Sequence, residues 1–134
     1  MTDVTKPVPQ PSALTQPYWD GTAAGELRIQ HCAACGKARH YPRYLCDACH
    51  SFEHDWQDCG DAGVVHSWTV AHHPFHPAFK ADLPYALVVV EMTEGVRVLG
   101  RFSEADGTGL RIGLKVRLGF EQVEGYALPR FTPA

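Results

Sequence analysis

The sequence predicts a mainly β protein with a short N-terminal helix, a four-cysteine zinc ribbon and a C-terminal five-stranded barrel of the oligomer-binding (OB) type. Three observations support this fold. Four of the five cysteines form two C-x-x-C pairs. From Gly63 onward the chain is a series of short apolar strands separated by glycine-containing turns. The length of 134 residues allows one domain, or a small domain with an appendage.

Composition narrows the classes of partner. The chain is 45% apolar and 20% charged, as globular domains are. Its formal net charge of -3 gives no general attraction for a phosphate backbone, which disfavours nucleic acid. The longest apolar run, Tyr85 to Val90, is too short to span a bilayer, and the N-terminus lacks the apolar region of a signal peptide. We therefore expect a soluble cytoplasmic protein.

Three segments follow from the distribution of prolines, cysteines and apolar residues. Residues 1–14 contain three prolines and no apolar periodicity, which predicts a flexible tail. Residues 15–61 contain the predicted helix and ribbon, and residues 62–134 the barrel. No longer repeat is present, so a solenoid is excluded.

A short helix is predicted from Gln16 to Ala24. Thr15 is suited to cap its first turn, and Gly25 is suited to end it. A helix of this length is marginal alone. Tyr18 and Trp19 must therefore pack on something, either this chain or a partner.

A strand from Glu26 to Gln30, with Leu27 and Ile29 on one face, leads into the first cysteine pair. The barrel strands are predicted from the alternation of apolar side chains. In the first of them, one face holds Val64, His66, Trp68 and Val70. The second is the mostly buried run Tyr85 to Met92, and a tight turn at Glu94-Gly95 precedes the third. Apolar positions in the third and fourth strands are Val96, Val98, Gly100 and Phe102, then Val116, Leu118 and Phe120.

The last strand is predicted from Tyr126 to Phe131. Pro129 should hold it at an edge of the sheet, because proline cannot donate to a strand ladder. The five strands are expected to pair antiparallel, with residues 105–113 bridging the third and fourth.

The cysteine motif carries the chemistry. Cys32, Cys35, Cys46 and Cys49 form C-x2-C-x10-C-x2-C. Two residues between cysteines let both sulfurs of one turn face a single ion, and two such turns complete a tetrahedron. The spacing predicts one structural zinc ion. A redox dithiol and four unrelated thiols are weaker interpretations, and iron would fit the same sulfurs. With no open coordination position, this site should hold structure rather than activate a nucleophile.

Two further features, the fifth cysteine and a histidine-rich segment, do not by themselves indicate a catalytic site. Cys59 lacks a neighbouring base and is interpreted as an ordinary buried or partly exposed thiol. The segment from His72 to Phe79 holds three histidines and two prolines, which predict an extended loop. It is either a plain loop, a ligand- or partner-contacting loop, or a second metal or acid/base site, but no carboxylate follows until Asp82. We predict no catalytic residue in this chain.

The order of several motifs adds a family resemblance. They are Tyr18-Trp19-Asp20 before Gly25-Glu26-Leu27, the two cysteine pairs, His73-Pro74, His76-Pro77-Ala78-Phe79, Leu83-Pro84-Tyr85, Leu110-Arg111-Ile112-Gly113 and Leu128-Pro129-Arg130-Phe131. Over about residues 16–131 the chain resembles the family of rubredoxin-like zinc-ribbon proteins with an acyl-CoA-associated OB fold.

The resemblance implies a function. Members of this family act as non-catalytic or auxiliary subunits of thiolase-fold enzymes: thiolases, acyltransferases and the aldolases that release steroid side chains by retro-aldol cleavage. Some are fused or bound to hotdog-fold enoyl-CoA hydratases. This sequence looks like a freestanding ribbon and barrel without room for a hydratase domain, which favours the thiolase-like partner.

From the resemblance we expect a zinc-containing auxiliary subunit that assembles with a thiolase-fold enzyme acting on acyl-CoA thioesters, in steroid or lipid side-chain degradation. Tyr18 and Trp19 would dock on the partner, and His73, His76 and Phe79 would border the acyl-CoA channel. One alternative is a standalone acyl-CoA-binding protein. A nucleic-acid-binding ribbon and barrel is weaker, because residues 62–134 hold seven basic and seven acidic side chains rather than a basic groove.

Overall fold

A computed structural model describes residues 5–134 and confirms the mainly β fold. Helix α1 is followed by three ribbon strands and five barrel strands, with one 3₁₀ helix between the first two barrel strands. Their bounds are α1 Gln16–Ala23, β1 Arg28–Cys32, β2 Ala38–Arg39, β3 His54–Asp58, β4 Ala62–Ala71, the 3₁₀ helix Pro77–Asp82, β5 Tyr85–Met92, β6 Arg97–Phe102, β7 Lys115–Val123 and β8 Tyr126–Pro133.

Helix α1 begins at Gln16 as predicted and ends at Ala23, one residue before the predicted end, but its first turn is not capped as expected. Gly25 has a φ of +79°, and its N–H donates to the carbonyl of Thr22 at 3.0 Å, as in a left-handed helix terminus. The capping bond expected from Thr15 is absent. Thr15 Oγ1 instead accepts from the N–H of Ser12 at 2.9 Å, because a local turn competes for the hydroxyl.

The ribbon is an antiparallel sheet in the order β2-β1-β3. Strand β1 begins two residues later than predicted and extends to Cys32, so the sheet leads directly into the metal site. Strand β3, with the sequence HDWQD, was not predicted, because it lacks apolar alternation. It forms because its backbone pairs with β1 along its whole length, from Asp58 opposite Arg28 to His54 opposite Cys32.

The barrel closes in the order β4-β5-β6-β8-β7. The prediction of antiparallel pairing throughout is wrong at one seam, where β6 and β8 run parallel, with Phe102 opposite Phe131. Pro129 does not mark an edge either, because β8 pairs with β7 along its length. The proline is tolerated since β8 pairs with β6 only beyond it, at Arg130 and Phe131.

A β-bulge changes the inward face of β4. The register shifts between Val65 and Ser67, so Val65, and not Val64, lies in the core at 1% exposure. Beyond the bulge Trp68 and Val70 lie opposite buried residues of β5, but only Val70 packs against the core, because Trp68 is 41% exposed. The predicted face therefore holds only at Val70, since Val64, His66 and Trp68 are exposed.

The histidine-rich segment ends in a 3₁₀ helix, Pro77–Asp82, and not in the extended loop predicted for it. His76 Nδ1 accepts the N–H of Ala78 at 3.1 Å and so caps this helix. Pro77 stands in the first turn, where its fixed φ suits a helix and its missing N–H costs nothing. The same two features that predicted a loop therefore start a short helix.

The tail predicted for residues 1–14 lies partly outside the described residues. Its described part has no helix or strand but contacts the 3₁₀ helix between β4 and β5. Lys6 Nζ lies 2.6 Å from a carboxylate oxygen of Asp82 and 5.7 Å from the ring centre of Phe79. No helix within residues 5–134 has the length and apolar character needed to cross a membrane.

Candidate functional site

The four predicted cysteines converge at one point. Their sulfurs all lie within 4.8 Å of one another. Cys32 Sγ and Cys49 Sγ are 3.5 Å apart, and Cys35 Sγ and Cys46 Sγ are 3.7 Å apart. A zinc tetrathiolate with bonds of about 2.3 Å has tetrahedral edges of about 3.8 Å. The donor set and its spacing therefore fit one structural zinc ion.

The two turns that carry the cysteine pairs, residues 32–36 and 46–50, are called the knuckles and have the same backbone geometry. The N–H of Gly36 donates to the carbonyl of Cys32 at 2.8 Å, and that of His50 to the carbonyl of Cys46 at 3.0 Å. Gly36 and His50 each have a positive φ, of 80° and 62°, which turns the backbone away after each cysteine pair. The N–H of Cys35 donates to Cys32 Sγ at 3.4 Å, and this bond is the largest of several hydrogen bonds that together lower the pKa of the Cys32 thiol to about 6. The turn thus favours the thiolate that a metal requires.

No second metal site accompanies this one within residues 5–134, where the four cysteines are the only cluster of three or more potential ligand side chains. Cys32 and Cys46 are buried, and Cys35 and Cys49 lie at the surface. Four sulfurs complete a tetrahedral shell, so a metal held here has a structural role.

A buried polar network supports the loop between the knuckles, and sequence reasoning missed it. Gln30 is fully buried, and its Oε1 accepts from Arg39 Nε at 2.6 Å and from the N–H of Arg43 at 2.8 Å. Arg39 Nη2 donates to the carbonyl of Arg43 at 3.0 Å. These bonds join β1, β2 and the loop after β2. No local pattern announces them, because the partners are separated in sequence.

An aromatic stack connects helix, ribbon and barrel. The His40 ring lies 5.3 Å from the ring of Tyr18 and 4.0 Å from that of Tyr41, between centres. Burial lowers the pKa of His40 to about 4, so the ring is neutral at pH 7. Tyr41 Oη accepts the N–H of Leu99 at 3.4 Å, which anchors the ribbon loop to β6.

The two residues predicted to anchor a partner differ in accessibility. Tyr18 is 6% exposed and belongs to the chain's own core, and this burial raises the pKa of its hydroxyl. Trp19 is half-buried, with its ring 5.8 Å from that of Tyr126 on β8. Both line a cavity of about 280 Å³ together with Tyr41, Pro42, Leu99 and Pro129. Of the two aromatic residues, Trp19 is therefore the one that a partner protein could contact, because Tyr18 is buried.

A second apolar cavity, of about 300 Å³, lies on the barrel wall. Among the three residues predicted for an acyl-CoA channel, Phe79 lines this cavity, while His73 and His76 do not. His76 is occupied in capping the 3₁₀ helix, and the His73 ring packs against exposed Phe75 at 4.8 Å. The apolar members of the lining are Phe79, Tyr85, Leu87, Leu99, Leu128 and Pro129.

Charged groups beside the wall cavity are paired. Arg101 Nη1 donates to Asp82 at 3.2 Å, and the Arg101 guanidinium lies 4.7 Å from the ring centre of Tyr85. The hydrogen bond from Lys6 lowers the pKa of Asp82, so this carboxylate stays ionised. The cavity therefore presents an apolar surface with a neutralised rim.

Cys59 lies outside the metal site. It is 5% exposed within the core, and burial raises the pKa of its thiol to about 11. The thiol is protonated at neutral pH, which makes it a poor nucleophile.

A closed four-sulfur ribbon packed on a five-stranded OB barrel defines a class of small two-module zinc proteins. Two domain models of one family match this chain: the ChsH2 rubredoxin-like zinc ribbon at residues 19–55 and the ChsH2 C-terminal OB-fold domain at residues 56–121. The chain belongs to the ChsH2 family, which confirms the resemblance found in the sequence.

Individual relatives agree with this assignment. The chain is 37% identical over 118 residues to a probable enoyl-CoA hydratase alpha subunit of Thermomonospora curvata, covering 87% of this chain and 36% of the relative. It is 34% identical over 125 residues to the 3-oxo-4,17-pregnadiene-20-carboxyl-CoA hydratase alpha subunit of Mycobacterium tuberculosis, covering 93% of this chain and 39% of the relative. The chain thus spans little more than a third of the length of these curated relatives.

One solved structure is similar over nearly all of both chains. It is described as the Ltp2-ChsH2(DUF35) aldolase, and it superposes with a TM-score of 0.84 at 35% sequence identity. The match covers 94% of this chain and 98% of that chain.

Proposed function

We propose that this chain is a zinc-containing auxiliary subunit that assembles with a thiolase-fold enzyme acting on acyl-CoA thioesters, in cytoplasmic degradation of steroid or lipid side chains. The observation that carries the proposal is the similarity to the chain of the Ltp2-ChsH2(DUF35) aldolase over 98% of that chain. The names of the two hydratase alpha subunits support CoA thioesters as the substrate class. Four thiolate ligands for a structural metal suit a reducing compartment.

The roles of this chain and of its partner enzyme follow from the chemistry of the described residues. The four sulfurs would hold zinc, which stabilises the ribbon. The acidic and basic groups beside the wall cavity pair with one another, as Asp82 does with Lys6 and Arg101. The partner would supply the nucleophile and base, while this chain contributes an interface and, through Phe79, an apolar part of the substrate wall.

The surface we assign to the partner is the apolar one beside Trp19. The two apolar cavities share Leu99 and Pro129, so they form one continuous surface. Tyr41 is 53% exposed and Leu99 47% exposed within it. Contiguous exposed apolar surface of this kind is typical of protein interfaces, and tryptophan is a frequent anchor residue there.

The test is reconstitution. The chain is purified alone and together with a candidate thiolase-fold enzyme, and turnover of acyl-CoA substrates is measured for each protein and for the mixture. We expect no turnover by this chain alone and a large gain when both are present. Trp19→Ala should weaken assembly by about tenfold or more.

Trp68→Ala is the matched control, because Trp68 is 41% exposed on β4 and lines neither apolar cavity. It should leave assembly unchanged. Turnover by this chain alone, or an enzyme indifferent to its presence, would reject the auxiliary-subunit model. Acyl-CoA binding without any partner effect would favour a standalone acyl-CoA-binding protein.

A further inference from the structure

A third cavity, of about 370 Å³, lies where the loop between the two knuckles meets the hairpin that joins β5 and β6. Its character differs from that of the apolar cavities, because basic side chains predominate in its lining. The charged members are Lys37, Arg39, Arg43 and Arg97, with Asp47 and Glu91 as the acidic ones.

Unpaired arginines concentrate in this cavity. Within residues 5–134, the arginines that form an ion pair with a carboxylate are Arg28, Arg101, Arg117 and Arg130. The arginines without such a pair in the described part of the chain are Arg39, Arg43, Arg97 and Arg111. The first three of these line the cavity, and Arg111 does not. Arginine left without a carboxylate around a concave surface is suited to bind a phosphate or carboxylate ligand.

The charges of the cavity do not cancel internally. Asp47 already accepts from Lys37 Nζ at 2.9 Å through both carboxylate oxygens. Glu91 lies opposite Arg97 in the strand register but forms no ion pair within residues 5–134. Arg39 is 8% exposed, with Nε and Nη2 donating inside the chain and Nη1 without an acceptor among the described residues. The lining therefore holds four basic side chains against two acidic ones.

The basic cavity adjoins the apolar surface. Tyr41 lines both the basic cavity and the cavity beside Trp19. That cavity in turn shares Leu99 and Pro129 with the wall cavity that contains Phe79. A ligand laid along this path would meet arginines at one end and aliphatic and aromatic side chains at the other.

We propose that the basic cavity binds the phosphate groups of the CoA moiety, with the acyl end directed toward the apolar surface. This inference rests on the proposed function for the choice of CoA. The order of surfaces, basic and then apolar, matches the order of groups in an acyl-CoA thioester, from its diphosphate and 3′-phosphate to its acyl chain. Arg43 and Arg97 are the ligand-binding residues, and Arg39 forms the fixed floor between them.

The experiment is calorimetric titration of the full-length, zinc-loaded chain with three probes: CoA, inorganic diphosphate and pantetheine. Pantetheine is the thiol-bearing part of CoA and contains no phosphate group. The wild-type chain should bind CoA and diphosphate. Arg43→Ala and Arg97→Ala should each weaken both by about tenfold and leave the weak binding of pantetheine unchanged. The Arg43 variant retains the network of Gln30 and Arg39, because that network uses only the backbone of Arg43.

Arg111→Ala is the matched control, since it removes the same charge from an exposed position outside the cavity. An equal loss of CoA affinity in this control would show general charge attraction and overturn the site. Loss of zinc from the Arg43 or Arg97 variant would show that these groups only neutralise the tetrathiolate. Absence of CoA and diphosphate binding by the wild-type chain would also overturn it.

A second readout separates this inference from the proposed function. In the reconstituted complex, the Arg43→Ala and Arg97→Ala chains should assemble normally and raise the KM for acyl-CoA about tenfold with kcat unchanged. Normal assembly with an unchanged KM rejects the phosphate site and leaves the auxiliary-subunit model standing. Failure of the wild-type chain to assemble rejects the auxiliary-subunit model. The calorimetric titration of the chain alone then still shows whether the phosphate site exists.

Discussion

The ribbon and the barrel are stabilised by different means. The barrel supplies most of the buried apolar side chains, among them Val65, Val88, Val90, Phe102 and Phe131. The ribbon strands bury mainly polar groups instead, namely Gln30, His31 and Arg39. Strand β2 is only two residues long. The ribbon therefore depends on metal coordination and hydrogen bonds where the barrel depends on apolar burial.

The two regions are nevertheless joined through one core. Leu27 and Ile29 from the ribbon side, together with Tyr18 from α1, belong to the same buried cluster as the barrel residues. The metal therefore acts locally, on the shape of the knuckles, while the junction between the two regions is apolar. Loss of the metal should consequently disorder the knuckles before it disturbs the barrel.

The largest expected effect is loss of the metal. Cys46→Ser should remove zinc and unfold the knuckle region, residues 32–50, because binding at a structural four-cysteine site contributes about 10 to 16 kcal/mol to folding. Metal analysis and amide hydrogen exchange would measure both changes. Cys59→Ala, at a buried cysteine outside the site, should retain one zinc per chain. A metal-free Cys46 variant with unchanged exchange in the ribbon would contradict the comparison.

The second effect lies in the barrel. Phe131→Ala should lower the free energy of unfolding by about 3 to 5 kcal/mol, since the side chain is fully buried and packs where β6 and β8 meet. Urea denaturation would measure the loss, and the zinc content under native conditions should not change. Phe75→Ala, at a residue 85% exposed, should change stability by less than about 0.5 kcal/mol. Zinc loss in the Phe131 variant would show that the regions are not separable.

The smallest effect is pH dependence at the junction. Burial lowers the pKa of His40 from 6.5 to about 4, so the unfolded chain takes up the proton first as pH falls. Stability from this group is complete above pH 6.5 and declines toward pH 4, by about 2 kcal/mol between pH 7 and pH 5. His40→Phe keeps a ring against Tyr18 and Tyr41 but has no proton to bind.

Denaturation of wild-type and His40→Phe chains at pH 7 and pH 5, with equal zinc, isolates this contribution, because protonation of the cysteines affects both chains alike. The wild-type chain should lose more stability by about 2 kcal/mol. Equal losses in the two chains would place the pH sensitivity of the junction elsewhere.

In both the ribbon and the barrel, some features could be predicted from the sequence and others could not. The metal ligands were predictable because C-x-x-C spacing is a local geometric requirement. Strand β5 was predicted with its observed bounds, because a long apolar run needs no distant information. Strand β3 and the Gln30–Arg39 network were not predictable, since their partners are brought together only by folding.

The sequence by itself determined the zinc ligand set, the order of helix, ribbon and barrel, and the family, because each depends on residue types at short or ordered spacing. Only the tertiary structure decided the bulge that turns Val65 inward, the parallel seam at Phe102 and Phe131, and the burial of Tyr18. It also decided the grouping of Arg39, Arg43 and Arg97 around one cavity. The physical reason is that register, closure and charge clustering arise from contacts between residues far apart in the chain, which local periodicity does not report.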